Sequence, residues 1–142
     1  MKEERLRRYL DKIDLISKRS SEIEGWTGIN SQDFIGDEKT KLATYKAFQE
    51  IVEASLDVVA MMLTDVGVPP KDDYTNIKLL LQKGVIDEKI ADTLAEGNGM
   101  RNRLVHRYNT LDDKRAFDSI RALSRDICEF KEVVAKWLQK KI

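Results

Sequence analysis

A chain of 142 residues with 25 Lys plus Arg, 25 Asp plus Glu and a formal net charge of zero has the length of one domain, 1–142, and its balanced charge argues against bulk binding of nucleic acid. Hydrophobic residues make up 42% of it, with only two prolines and seven glycines, the composition of a helical protein. The lone Cys128 excludes an intrachain disulfide, one Cys with one His excludes a protein-only zinc site within one chain, and no apolar run reaches the roughly 18 residues of a membrane span.

From Lys2 to about Glu24, Leu6, Tyr9, Leu10, Ile13, Ile16 and Ile23 recur at three-and-four spacing, one face of an amphipathic helix. The row Arg5, Arg8, Lys12 on its other side reads as a solvated face. The Met1 to Arg5 start offers no apolar signal segment, so a cytoplasmic location is expected. Glycines 25 and 28 break the pattern, and Ser31 to Gly36 reads as a single capped turn.

Asp37 is a natural N-cap for the longest helix, to about Val66. Its stripe is Leu42, Tyr45, Phe48, Val52, Leu56, Val59, Leu63 and Val66. A second set, Ala47, Ile51, Ala54, Val58 and Met62, widens the apolar surface, which suits either the centre of a bundle or a subunit interface. Gly67 and Val68-Pro69-Pro70 stop the helix. Thr75 is expected to cap a short helix from Asn76 to Lys83, and Asp87 the next, starting at Glu88. Ile90, Leu94, Met100, Leu104 and Tyr108 place helix on both sides of Gly97-Asn98-Gly99, where two glycines favour a kink or break. Thr110 and Asp113 fit a capping box for the last helix, to about Lys140. The sum is an all-α, mostly antiparallel bundle of four to five helices.

The chemistry gathers between Gly97 and Tyr108. This stretch holds the only histidine, His106, with Arg101, Arg103 and Arg107, and no acidic residue lies between Gly97 and Leu111. A local cationic excess on a neutral background points to a phosphate-bearing partner. An imidazole, with an unperturbed pKa of about 6.5, can move the proton of an attacking 2′-OH or of a leaving oxygen. A guanidinium can hold the non-bridging oxygens, so the pair can cleave a phosphodiester without metal. Arg101 and His106, however, stand about 140° apart on an ideal helix and about 7.5 Å along it. Asn102 and Arg103 share the side of His106; Arg101 shares the side of Tyr108. Joint action therefore needs a reaching arginine, a distorted helix or two copies of the motif facing each other.

The run Arg101-Asn102-Arg103-Leu104-Val105-His106-Arg107-Tyr108 resembles the R-x₄-H-x-Y signature of the HepT-like branch of HEPN-domain proteins. The likeness of element order extends over nearly the whole chain, including Asp33-Phe34 and Ala54-Ser55-Leu56-Asp57. The resemblance implies a homodimeric helical bundle, a ribonuclease toxin of a type VII-like toxin–antitoxin pair that needs no cofactor. It implies Arg101 and His106 as the catalytic pair, Asn102 supporting the site, and two motifs meeting at the dimer interface. Arg103 and Arg107 are then available to the backbone of an RNA such as tRNA or mRNA. The implied partner is an MNT-type nucleotidyltransferase antitoxin that transfers AMP to Tyr108, blocking the cleft with charge and bulk. Two other readings remain: a non-catalytic module that binds a nucleotide or the nucleotidyltransferase, and a purely structural bundle.

Overall fold

The computed structural model describes residues 1–142. Its helices are α1 (Glu3–Trp26), α2 (Ser31–Gly36), α3 (Glu38–Asp65), α4 (Asp73–Gln82), α5 (Glu88–His106) and α6 (Asp113–Lys141), with one 3₁₀ turn, Tyr108–Thr110, before α6. Most helices start where a short polar side chain accepts a free backbone N–H. Asn30 takes that of Asp33, Asp37 that of Thr40, Asp72 that of Thr75 and Asp87 that of Ile90, which satisfies donors that no carbonyl can reach.

Two caps differ from the sequence expectation. Helix α4 starts earlier because Asp72, not Thr75, is its cap; the Thr75 hydroxyl itself donates to Asp72 Oδ2 at 2.8 Å. Helix α6 is capped by Asp112, which accepts the N–H groups of Lys114 and Arg115, while the Thr110 hydroxyl donates to the Arg107 carbonyl at 3.1 Å. In both places a carboxylate displaces a hydroxyl, as the positive end of the helix dipole favours.

Cross-helix pairs reveal the packing directions. Arg5 and Tyr9 near the start of α1 bond Asp65 at the end of α3, Lys12 bonds Asp57, and Arg19 bonds Glu50, so α1 and α3 run antiparallel. The solvated row expected on α1 is thus partly an ion-paired seam. Met1 to Lys141, Tyr9 on Trp137 and Glu24 to Arg125 make α1 and α6 antiparallel as well.

Helix α3 is the centre of the bundle, touching every other helix. Both of its apolar sets enter the core: Phe48, Val52, Val59 and Leu63 on one side, Ala47, Ile51, Ala54, Val58 and Met62 on the other. The wide apolar surface is therefore consumed inside one chain and does not by itself call for a subunit interface. Leu10 and Leu42, assigned to inward stripes, are exposed. Leu42 lies about 75° from the centre of its stripe, on the side of Glu53 three turns later.

The expected break at Gly97-Asn98-Gly99 is absent, and α5 runs through it. A Cβ at Gly97 would meet Ile127 Cδ1 and Val52 Cγ2 at 3.5 Å each. Close packing between α3 and α6 holds this turn of helix against its low intrinsic propensity.

Candidate active site

The last two turns of α5 present opposite sides to different neighbours. Towards α3, Arg101 Nη2 donates to Glu53 Oε2 at 3.2 Å, and Nη1 donates to Asn102 Oδ1 at 3.0 Å. Its Nε is buried without a partner, as is Oδ1 of Asn98 one turn earlier. The other side opens on a cleft of about 430 Å³ lined by Tyr74, Gly99, Asn102, Arg103, His106 and Arg107. Arg101 does not line this cleft, as helical spacing leads one to expect. Asn102 spans both sides, bonding Arg101 and bordering the cleft.

Around the end of the helix, His106 and Arg107 also line a second hollow with Tyr108. A third, of about 450 Å³, lies between Arg103, Arg107 and Arg115. Arg107 thus borders all three hollows. Neither Arg103 nor Arg107 forms an ion pair; the nearest polar contact of Arg103 is Met100 Sδ at 3.6 Å. The carbonyl end of α5 favours cations here through its dipole. Asp112 borders the third hollow but pairs with Arg115 and with neither Arg103 nor Arg107, so the charge of these two remains available to an anionic ligand.

Tyr108 is 39% exposed, and its ring meets Tyr45 edge-on at 6.2 Å between centroids. Beneath it, Tyr45 donates to Asp113 Oδ1 and Lys41 bonds Asp113 Oδ2 at 3.2 Å. Burial and the bond to Asp113 push the Tyr45 phenol well above its ordinary range. Burial pulls Lys41 down, but Glu38 and Asp113 outweigh it and the ammonium is held above its usual value. Lys41 therefore stays a cation under Tyr108.

Glu53 and Tyr74 belong to this region although nothing in the sequence singled them out. Tyr74 stands three residues before Ile77, which is buried. It is nevertheless 46% exposed, because it lies in the first turn of α4, against the cleft. No set of three or more His, Cys, Asp or Glu side chains converges anywhere in the chain, and no helix is long and apolar enough to cross a membrane.

Comparison with known proteins gives this geometry a context. A family model described as ribonuclease HepT-like matches residues 6–134. A protein of Archaeoglobus fulgidus named "Putative RNase" is 33% identical over 139 residues, 96% of this chain and 97% of that one. The tRNA nuclease HepT of Aphanizomenon flos-aquae is 25% identical over 112 residues, 77% of this chain and 75% of that one. Among solved structures, the tri-AMPylated HEPN toxin of Shewanella oneidensis in complex with its MNT antitoxin aligns with a TM-score of 0.82. That alignment covers 96% of this chain and 99% of the toxin at 22% identity, a likeness of fold.

Proposed function

The chain belongs to the HepT-like ribonuclease family, and from that premise we propose that it is a metal-independent endoribonuclease, the toxin of a type VII-like toxin–antitoxin pair. The observation that carries this reading is the cleft at the end of α5, where the sole histidine stands beside Asn102, Arg103 and Arg107 with no acidic residue on its walls. His106 moves the proton of the attacking 2′-OH or of the leaving oxygen, and Arg101 stabilises the phosphorane oxygens. Asn102 orients both sides of the site, and Arg103 and Arg107 hold flanking phosphates.

Arg101 must reach the scissile phosphate from the far side of α5. Its pair with Glu53 is only partly shielded, with side chains 25% and 39% exposed, so it is worth about 0–1 kcal/mol. An incoming phosphate can therefore displace Glu53. A homodimer supplies a second route, in which Arg101 of one copy faces His106 of the other. The exposed Val105 and Leu42, on the same helix faces as Arg101 and Glu53, give such a dimer apolar contact.

Tyr108 is the control point. An MNT-type nucleotidyltransferase would join its phenolic oxygen to the α-phosphorus of a nucleoside triphosphate, with pyrophosphate leaving. The added phosphates would lie next to Arg107 and Lys41 and compete with RNA for them. The whole chain, 1–142, works as one domain in the cytoplasm.

Purified, unmodified protein should cut RNA in the presence of EDTA; failure to cut any RNA overturns the ribonuclease reading. Co-expression with the nucleotidyltransferase should add whole AMP masses, and their persistence in Tyr108→Phe would refute the site of transfer. One observation favours the non-catalytic alternative: within a single chain Arg101 is tied to Glu53, outside the cleft of His106. Saturable nucleotide binding with no cleavage would identify that module.

A further inference from the structure

We propose that Tyr74 is the base-stacking platform of the cleft, and that the nucleotide held by Arg103, His106 and Arg107 lays its base on the Tyr74 ring. The inference rests on the reading that this cleft takes RNA, and it adds what recognises the base.

Four observations support it. Tyr74 is the aromatic wall of a cleft whose other named side chains are cationic or polar, the combination of ring and cation that single-stranded nucleic acid requires. It is 46% exposed and forms neither an aromatic pair nor a side-chain hydrogen bond, so the fold makes no evident use of the ring. Gly99 lies between Tyr74 and Arg103 in the cleft wall: a Cβ there would stand in ordinary contact, 3.8 Å from the Tyr74 hydroxyl and 3.7 Å from Arg103 Nη1. The Tyr74 hydroxyl and the Arg103 guanidinium therefore border the same glycine, so that one nucleotide can meet both.

The fourth observation is that the turn carrying Tyr74 is braced. Asn76, buried, accepts the Lys71 N–H at 2.6 Å and donates to the Lys71 carbonyl at 3.1 Å. Asp72 accepts both the N–H and the hydroxyl of Thr75, at 2.9 and 2.8 Å. A ring fixed on such a turn loses little conformational freedom when a base stacks on it. The cleft volume of about 430 Å³ suits one nucleotide unit.

The test measures binding of a fluorescent single-stranded 2′-O-methyl RNA, which cannot undergo 2′-OH attack, by full-length wild type, Tyr74→Phe, Tyr74→Leu and Tyr74→Ala. Stacking of one base predicts affinity within about twofold for Tyr74→Phe and a loss of about 5- to 100-fold for Tyr74→Leu and Tyr74→Ala. Single abasic sites are then walked along the oligonucleotide. At one position the abasic site should weaken wild type by the same factor and leave Tyr74→Ala unaffected. Equal affinity of wild type and Tyr74→Ala, or a loss that stays the same at every abasic position, overturns the proposal. Cleavage of unmodified RNA separates the two readings. A wild type that cuts, with Tyr74→Ala unchanged in KM, refutes the platform alone. A wild type that binds but never cuts refutes the ribonuclease, while the abasic scan still decides Tyr74.

Discussion

Along the α1–α3 seam, Arg5, Lys12 and Arg19 each meet a carboxylate of the facing helix, Asp65, Asp57 and Glu50 at 3.1, 2.7 and 2.7 Å. At the end of α5, Arg103 and Arg107 meet none and border open clefts. The residue types are alike and both groups lie on amphipathic helices. What separates them is the element opposite: α3 offers carboxylates at matching heights, whereas the end of α5 opens between α4 and the 3₁₀ turn. The paired cations of the seam hold two helices together, the unpaired ones beside the histidine are those the proposed reading assigns to the ligand, and Arg101, paired with Glu53, stands between the two groups.

Substitutions on the two sides should therefore separate stability from binding. The largest effect is expected at the seam, where Tyr9 is fully buried and donates to Asp65. Tyr9→Ala should cost about 3–5 kcal/mol in chemical denaturation, with RNA affinity per folded molecule unchanged. At the cleft the pattern inverts. Arg103→Ala and Arg107→Ala should leave stability within about 0.5 kcal/mol, yet each should lower by about 0.7 the slope of log affinity against log salt for single-stranded RNA. A stability loss as large as at the seam would erase the distinction.

Gly97 probes the boundary between the two regions. Gly97→Ala meets its neighbours at ordinary contact distance and should raise stability by up to about 1 kcal/mol through helix propensity. Gly97→Leu overfills the same space and should lower it by about 1–3 kcal/mol. The smallest effect concerns the caps. Bonds from Thr40 and Thr75 hold the Asp37 and Asp72 carboxyls below their ordinary value of 3.8. Because the folded-state value is lowered, this contribution is fully present above about pH 4 and lost as pH falls through the folded value. The melting difference between wild type and Asp37→Ala should accordingly shrink in acid, whereas no such trend is expected for Arg107→Ala.

Much of this arrangement is legible along the chain because it is local. Periodicity marks the helices, and Asp37 and Asp87 mark two starts. Asp72 and Asp112 escape because several capping residues stand within one turn, and only backbone geometry decides among them. The continuity of α5 through Gly97 escapes for another reason: Val52 and Ile127, far apart in sequence, supply the packing. The candidate site divides in the same way. The cluster of His106 with three arginines, and the angular separation of Arg101 from His106, follow from sequence and helix geometry. The Glu53 contact to Arg101 and the Tyr74 wall come from α3 and α4, and no spacing within the motif reports them.

The central claim is that the unpaired end of α5 cuts RNA through His106. The most direct measurement compares cleavage of one RNA in EDTA by wild type and His106→Ala, with thermal melting of both. Cleavage by His106→Ala should fall by about 10² to 10⁴ with an unchanged melting temperature, since the His106 side chain is exposed. Equal cleavage by the two proteins would contradict the claim.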